Sequence, residues 1–322
     1  MHNKLLDQYP KVHFSVLPTP LQRLENISRI CRCTIYCKRD DLTGFALGGN
    51  KTRKLDFLIG DAKRIGSDTL IAVGSVQSNF CRIAAAAGKV AGLEVFLILG
   101  GTPPQKYTGN LLLDSLFGAN IKFIDSLQWD VWEHEAEILA NRLKEKGKKV
   151  YRLPVGGSTT IGALGYAQAI IEILEQSRLL GIHLDTIVHA TSSGGTQAGL
   201  VVGKALAGWK GKVIGMGVAK DKPTLTNEVY KLACATAASF GIKVDIKDVI
   251  VDESYRGAAY GARTKECSEA ITLFAHNEGI VLDNVYTGKA ASGLIDYARR
   301  DLFHPDENIC FIHTGGTVEL FE

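Results

Sequence analysis

The amino-acid sequence predicts an α/β protein in which helices cover both faces of open, twisted parallel sheets. Three observations carry that expectation. Short apolar runs alternate with longer amphipathic or alanine-rich stretches along most of the chain. The length, 322 residues, suits about two domains. The composition, 46% hydrophobic and 22% charged, is that of an ordinary globular protein that buries its core without staples.

The elements follow in order. Strands are expected at 34–39, 69–73, 95–99, 122–124, 150–153, 186–190, 213–218 and 310–313. Helical patterns lie between them, among them 51–65, 78–90, 129–146, 166–180 and 225–240. The 129–146 stretch shows its type clearly, because Trp132, Ala136, Leu139 and Leu143 share one helical face and Gly147 stops it. There is no internal repeat, low-complexity tract or Pro-rich linker.

Charge narrows the function classes. Lys and Arg number 37 against 34 Asp and Glu, a net +3 with both signs interspersed. That balance announces neither a nucleic-acid surface nor a membrane surface. The basic cluster 144–149 reads as a solvated helix end. No run approaches the ~20 apolar residues of a membrane span, and the first ten residues have no signal-peptide core. The seven cysteines are odd in number, and the spacing of Cys31, Cys33 and Cys37 matches no paired zinc pattern. Cys81, Cys234, Cys267 and Cys310 sit inside apolar patterns. Buried reduced thiols, no metal and a cytoplasmic location are the expectation.

Ligands of open parallel sheets sit beyond the carboxyl ends of the strands, so the loops leaving strands carry the chemistry. Four stand out. Loop 43–54 ends where a helix begins, with Asn50 as its expected cap. Lys51 then lies in the first helical turn, where the macrodipole and partial burial disfavour an ammonium and favour a nucleophilic amine. On local sequence alone, a surface lysine in a Lys/Arg-rich turn is the plainer reading. Loop 73–80 gathers Ser75, Gln77, Ser78 and Asn79 at a helix start suited to a carboxylate or phenolate, although capping by Ser78 needs no ligand.

Loop 190–199 alternates hydroxyls with glycines, as a phosphate cup does. Neither GxxxxGK[ST] nor GxGxxG occurs, so a phosphate that is not a nucleotide is the sharper inference, and a nicotinamide oxidoreductase is disfavoured. The last strand ends in His313-Thr-Gly-Gly316, with Tyr255, Tyr260 and the turn 285–289 upstream. Tyrosines of this kind are usually satisfied core or rim residues. His313, closing a strand, reads as a packed or supporting residue rather than a base.

Each loop alone is weak, but their order is specific. The string Gly48-Gly-Asn-Lys-Thr-Arg-Lys-Leu-Asp-Phe-Leu58 is followed by Gln77-Ser-Asn79, Ser193-Gly-Gly-Thr196 and His313-Thr-Gly-Gly316. Together they resemble the pyridoxal-phosphate enzymes of the tryptophan-synthase β-like fold, fold type II. The resemblance runs from Leu17-Pro-Thr-Pro20 to Gly316. It points to the branch with D-cysteine desulfhydrase, L-cysteate sulfo-lyase and 1-aminocyclopropane-1-carboxylate deaminase.

The resemblance implies two domains with pyridoxal 5′-phosphate in the cleft between them. Residues 1–51 and 160–322 would form the larger, and 52–159 an inserted smaller one. It implies that Lys51 binds the cofactor covalently and carries the α-proton. Asn79 would contact the cofactor 3′-oxygen. Ser193, Gly194, Gly195 and Thr196 would hold the phosphate with Lys54 nearby, and Thr287 would meet the pyridine nitrogen. Ser78, Gln77, Asn79, Tyr260, Tyr286 and Thr314 would line the substrate side, with Ser78, Tyr260 and Tyr286 taking part in catalysis. A homodimer acting on a small amino acid is implied as well.

The branches differ at two loops. Cyclopropane deaminases typically show Tyr-Glu-Gly and Leu-Gly-Gly, whereas this chain has Tyr286-Thr-Gly288 and Thr314-Gly-Gly316. A neutral hydroxyl at the pyridine nitrogen makes a milder electron sink, sufficient when a good leaving group departs from Cβ. D-cysteine elimination to pyruvate, sulfide and ammonia is therefore the first expectation and L-cysteate elimination the second. Cyclopropane deamination comes third, and a non-catalytic cofactor-carrying protein is the rival from another class. Two departures stand out: Phe80 replaces the family's usual His, and Lys289-Ala-Ala-Ser replaces the commoner Ala-Met-Ala.

Overall fold

Two separate sheets organise the chain, which a computed structural model describes for residues 3–321. The strands are Leu21–Arg23 (β1), Thr34–Arg39 (β2), Thr69–Ser75 (β3), Glu94–Gly100 (β4) and Asn120–Ile124 (β5). Then come Val150–Leu153 (β6), Thr186–Thr191 (β7), Lys212–Gly217 (β8), Ile250–Asp252 (β9) and Asn308–His313 (β10). The larger sheet has the order β1-β2-β10-β7-β8-β9 and the smaller β5-β4-β3-β6. All neighbours are parallel except β1, an antiparallel edge on β2. The four strands of the smaller sheet all come from within the expected insertion.

The helices are Asn3–Leu6 (α1), Glu25–Cys31 (α2), Asn50–Arg64 (α3), Asn79–Val90 (α4), Gly109–Leu116 (α5) and Trp129–Glu145 (α6). Thr160–Leu179 (α7), Gly195–Ala207 (α8), Lys222–Ala238 (α9), Lys265–Glu278 (α10) and Thr287–Arg299 (α11) complete them. Among the described residues, no helix is long and apolar enough to cross a membrane.

Strand parity divides the cores. In β3, Leu70 and Ala72 meet α3, α4 and α5, while Ile71 and Val73 meet Trp132, Ala136, Ala140 and Leu143 of α6. In the larger sheet, Ile35, Val188, Ile214 and Phe311 face α10 and α11, whereas Tyr36, Ile187, Val213 and Ile312 face α7 and α8. Both faces are covered, which is why these strands read as nearly continuous apolar runs.

Helix α3 joins the two units. Leu55, Leu58, Ile59 and Ala62 enter the smaller core, and Phe57 enters the larger. Behind it, Arg53 Nη2 donates to Asp40 Oδ1 at 2.8 Å and to Glu172 Oε1 at 2.9 Å. Lys38 Nζ donates to Glu172 Oε1 and to the Thr19 carbonyl, each at 2.6 Å. Two cations thus face two anions, fixing the start of α3 against β2 and α7.

All eight expected strands form, most with an extra residue or two at their ends. The short strands β1 and β9 are additions. Helix α7 begins at Thr160 rather than 166, because Thr159 caps it: its hydroxyl accepts from Gly162 N at 3.0 Å. Gly165 is required there, since a Cβ would lie 2.5 Å from the Arg53 carbonyl.

Candidate active site

The carboxyl ends of both sheets open on one cleft. Lys51, Ser78, Asn79, Tyr260, Tyr286 and Thr314 line it, together with Ser193, Gly194 and Thr196. Residues separated by more than 260 positions in sequence therefore share one space.

Lys51 stands in the first turn of α3. Asn50 is not the cap of that helix: Gly49 is, at φ 120°, and its backbone N–H donates to Thr43 Oγ1 at 2.8 Å. Asn50 instead braces the site, its Nδ2 donating to Thr196 Oγ1 at 3.0 Å and its Oδ1 accepting from Lys51 Nζ at 3.3 Å. Burial lowers the Lys51 pKa from 10.5 to about 8, against an opposing pull from Glu319. A sizeable fraction of the amine is therefore neutral, and nucleophilic, near neutral pH.

At the head of α8, Gly194 takes φ 78°, a conformation that favours glycine, and exposes the first N–H groups of the helix. A Cβ on Gly195 would lie 2.7 Å from Ser158 Oγ and 2.8 Å from Lys54 Nζ. Gly195 N donates to Ser158 Oγ at 3.2 Å, and Ser158 Oγ donates to Ser193 Oγ at 2.9 Å. Lys54 is fully buried with its Nζ 3.0 Å from the Gly156 carbonyl. Burial, then Lys51, drive its pKa well below the usual lysine value. A buried amine beside a helix N-terminus favours its protonated form when an anion lies against it, so the pair fits a phosphate monoester. The nearby neutral-capable amine fits an aldehyde.

The head of α4 forms the opposite wall. Ser78 caps it, accepting from Cys81 N at 3.2 Å, and Gly74 leaves the room, since a Cβ there would lie 2.4 Å from Ser78 Oγ. Asn79 is fixed in orientation. Its Oδ1 accepts from Arg82 Nη1 and from Asn110 Nδ2, each at 3.1 Å. A guanidinium can only donate, so Nδ2 must point the other way, where it donates to Glu319 Oε1.

Tyr260 and Tyr286 share a short hydroxyl–hydroxyl hydrogen bond, and Trp129 meets the Tyr260 ring edge-on at 6.4 Å. The Tyr260 ring is partly exposed, but its hydroxyl points inward, and burial of that hydroxyl, then Glu319, raise its pKa; burial, then Tyr260 and Glu319, raise that of Tyr286. Both hydroxyls stay protonated near neutral pH. Phe80 lies at the base of the cleft, pressed against Leu58 and Gly157.

Four expected site residues differ in placement. Thr287 is buried at the head of α11 and does not line the cleft. Its hydroxyl donates to Asp283 Oδ2 and accepts from Asp283 N at 2.9 Å. With its one proton committed, it cannot donate to a pyridine nitrogen. Thr314, just past the end of β10, does line the cleft. Gln77 is turned to α5, its Oε1 accepting from Asn110 N at 2.8 Å and its Nε2 donating to the Thr108 carbonyl at 3.3 Å. Lys54 and Gly195 stand just behind the cleft surface, as described.

Two neighbours outside the lining have structural employment. Tyr255 hydrogen-bonds Asp296, away from the cleft. His313, as expected, is packed: Nε2 donates to the Val281 carbonyl at 3.1 Å and Nδ1 accepts from Gly315 N at 3.2 Å, shaping the terminal glycine turn. Sequence reasoning missed Ser158, Trp129 and Glu319. Gly156-Gly-Ser158 follows a strand and precedes a helix, so the loop rule that found the other four could have found it. Nothing local marks Glu319.

Comparison with known proteins shows the family. Residues 12–315 match the family described as pyridoxal-phosphate dependent enzyme. A Pyrococcus furiosus protein provisionally named 1-aminocyclopropane-1-carboxylate deaminase is 43% identical over 100% of this chain and 97% of its own. The D-cysteine desulfhydrase of Serratia proteamaculans is 39% identical over 98% of this chain and 96% of its own. A crystal structure of an ACC deaminase homologue superimposes with a TM-score of 0.93 at 39% identity, covering 99% of this chain and 96% of that one. The chain thus belongs to the fold type II pyridoxal-phosphate dependent enzymes, among relatives named for amino-acid deamination and desulfhydration.

Proposed function

We propose that this enzyme catalyses α,β-elimination on a small amino acid, with D-cysteine, giving pyruvate, sulfide and ammonia, as its preferred substrate. The carrying observation is that hydroxyls, Thr287 and Thr314, stand where the deaminases show Glu and Leu, and that of the two Thr314 lines the cleft. Pyridoxal phosphate, when bound, supplies the electron sink for the carbanion at Cα. A hydroxyl partner keeps that sink mild, which suffices for expelling sulfide and falls short for opening a cyclopropane.

The residues divide the work. Lys51 Nζ holds the cofactor and takes the proton from Cα. Ser193 to Thr196 and Lys54, joined by Ser158, hold the phosphate. Asn79 offers an N–H to the cofactor 3′-oxygen, an orientation supported by its bonds to Arg82 and Glu319. Ser78 and the first N–H groups of α4 receive the substrate α-carboxylate. Tyr260 and Tyr286, both kept protonated, supply a proton to the departing sulfur. Gln77 supports α5 rather than the substrate.

A second reading, 1-aminocyclopropane-1-carboxylate deamination, is favoured by the 43% identity to the Pyrococcus furiosus relative. One turnover panel separates the two: both enantiomers of cysteine, cysteate and serine, plus the cyclopropane acid. Pyruvate from D-cysteine, lost in Lys51→Ala, is expected. Preference for the cyclopropane acid, with 2-oxobutanoate as product, would install the second reading.

A further inference from the structure

We propose that Trp129 is the size filter of the cleft: its indole caps the substrate side and restricts the enzyme to amino acids with a small β-substituent. The proposal rests on the elimination reading above and names its substrate class more closely.

Trp129 opens α6 and lines the cleft from the side of the smaller unit, yet residues of the larger unit hold its ring. Tyr260 meets it edge-on, the two rings perpendicular with their centres 6.4 Å apart. Lys220, between β8 and α9, places its Nζ over the indole, 4.7 Å from the ring centre. That lysine is itself fixed, since Nζ donates to Glu228 Oε1 at 2.7 Å and to Oε2 at 2.6 Å. Trp132, one turn further along α6, stands 6.4 Å from Trp129 and is anchored by its Nε1, which donates to the Ser126 carbonyl at 2.8 Å. An aromatic edge and a cation are the partners that an indole π-system attracts. The ring is therefore gripped from both units, across the space between them.

The wall that Trp129 meets is equally fixed. Tyr260 shares its short hydrogen bond with Tyr286, and Tyr286 N donates to Asp283 Oδ1 at 2.6 Å. Lys289 Nζ donates to the Arg256 carbonyl at 2.6 Å, tying the loop that carries Tyr260 to α11. Both tyrosines are the proposed proton donors to the departing group, so a substituent on Cβ enters the space that they share with Trp129. A thiol or hydroxyl asks no ring to move. A benzyl-sized group must displace the indole, which breaks its contacts with Lys220 and Tyr260 together. Packed rings with partners on several sides yield to such a group only at a cost.

The test takes holoenzyme and two reagents that capture the lysine-bound cofactor, hydroxylamine and O-benzylhydroxylamine, and follows the loss of its absorbance. Each rate is divided by that of the same reagent with free pyridoxal phosphate, which removes intrinsic reactivity. On this scale wild type is expected to disfavour the benzyl reagent by at least about tenfold, and Trp129→Ala should bring the two to within about threefold. Trp129→Leu, which keeps apolar bulk at the start of α6, serves where the alanine variant fails to fold and should also relax the discrimination. Turnover gives the second readout: S-benzylcysteine should gain on cysteine of the same hand in Trp129→Ala. A wild type that treats both reagents alike, an unchanged discrimination in the folded variants, or no gain for S-benzylcysteine overturns the proposal. Discrimination between the reagents by an enzyme that eliminates nothing from any cysteine supports the filter and overturns the elimination reading, so the two failures are told apart.

Discussion

The lowered Lys51 pKa predicts how fast the apoprotein captures its cofactor as pH changes. With an ordinary lysine pKa of 10.5, about one amine in a thousand is neutral at pH ~7.5; with a value of about 8, roughly one in four is. The free amine is the attacking form, so the structure gives Lys51 an advantage of about two hundredfold over a solvated lysine. Mixing apoprotein with pyridoxal phosphate and following the absorbance of the lysine-bound cofactor measures this directly. The capture rate should climb about tenfold per pH unit below pH ~8 and level off above it.

Linkage gives the same answer from stability. Between about 8 and 10.5 the folded state binds fewer protons at this site than the unfolded chain does, so Lys51's contribution to stability rises with pH in that window. Lys51→Met should lack that increment. A capture rate that keeps climbing through pH ~10 without a plateau would show a solvated ammonium and refute the argument from burial.

Three further outcomes follow from the geometry. Gly195→Ala places a methyl between Ser158 Oγ and Lys54 Nζ; cofactor retention on dialysis should weaken at least about tenfold while circular dichroism stays unchanged. Asp40→Asn leaves Arg53 buried against a neutral amide, and chemical denaturation should show a loss of about 3–5 kcal/mol. Ser78→Ala removes the α4 cap and the proposed carboxylate contact; about 1 kcal/mol of stability should go, with KM for the amino acid rising more than kcat falls.

The fold was legible because its strands are buried on both faces. Such strands read as short apolar blocks whatever their neighbours, and the helices between them declare their period. The three-residue strands β1 and β9 carry too little sequence to declare anything, and β1 is antiparallel because it only trims an edge. The start of α7 is hidden in the sequence because Gly162 and Gly165 resemble loop residues. They are instead contact residues, Gly165 against α3 and Gly162 against the Gly157 carbonyl. Close approach of two backbones is a tertiary fact, and no window of sequence contains it.

The candidate site was legible by loop rather than by side chain. Every loop singled out from the sequence reaches the cleft, since glycines and hydroxyls at strand ends mark where backbone N–H groups are left open. Which side chain in a loop faces inward is decided by hydrogen bonds made far away. Thr287 turns aside because Asp283, four residues earlier, takes its proton. Gln77 turns aside because the start of α5, at Thr108 and Asn110, needs its amide. Asn79 turns inward because Arg82 can only donate and so claims its oxygen, leaving the nitrogen for Glu319 and the cleft. A polar side chain whose donors are consumed within the protein has none to offer a ligand. A residue at a motif's position can serve a ligand only with a donor or acceptor that folding leaves over; Thr287 has no donor left, and Thr314, which lines the cleft, is the candidate in its place.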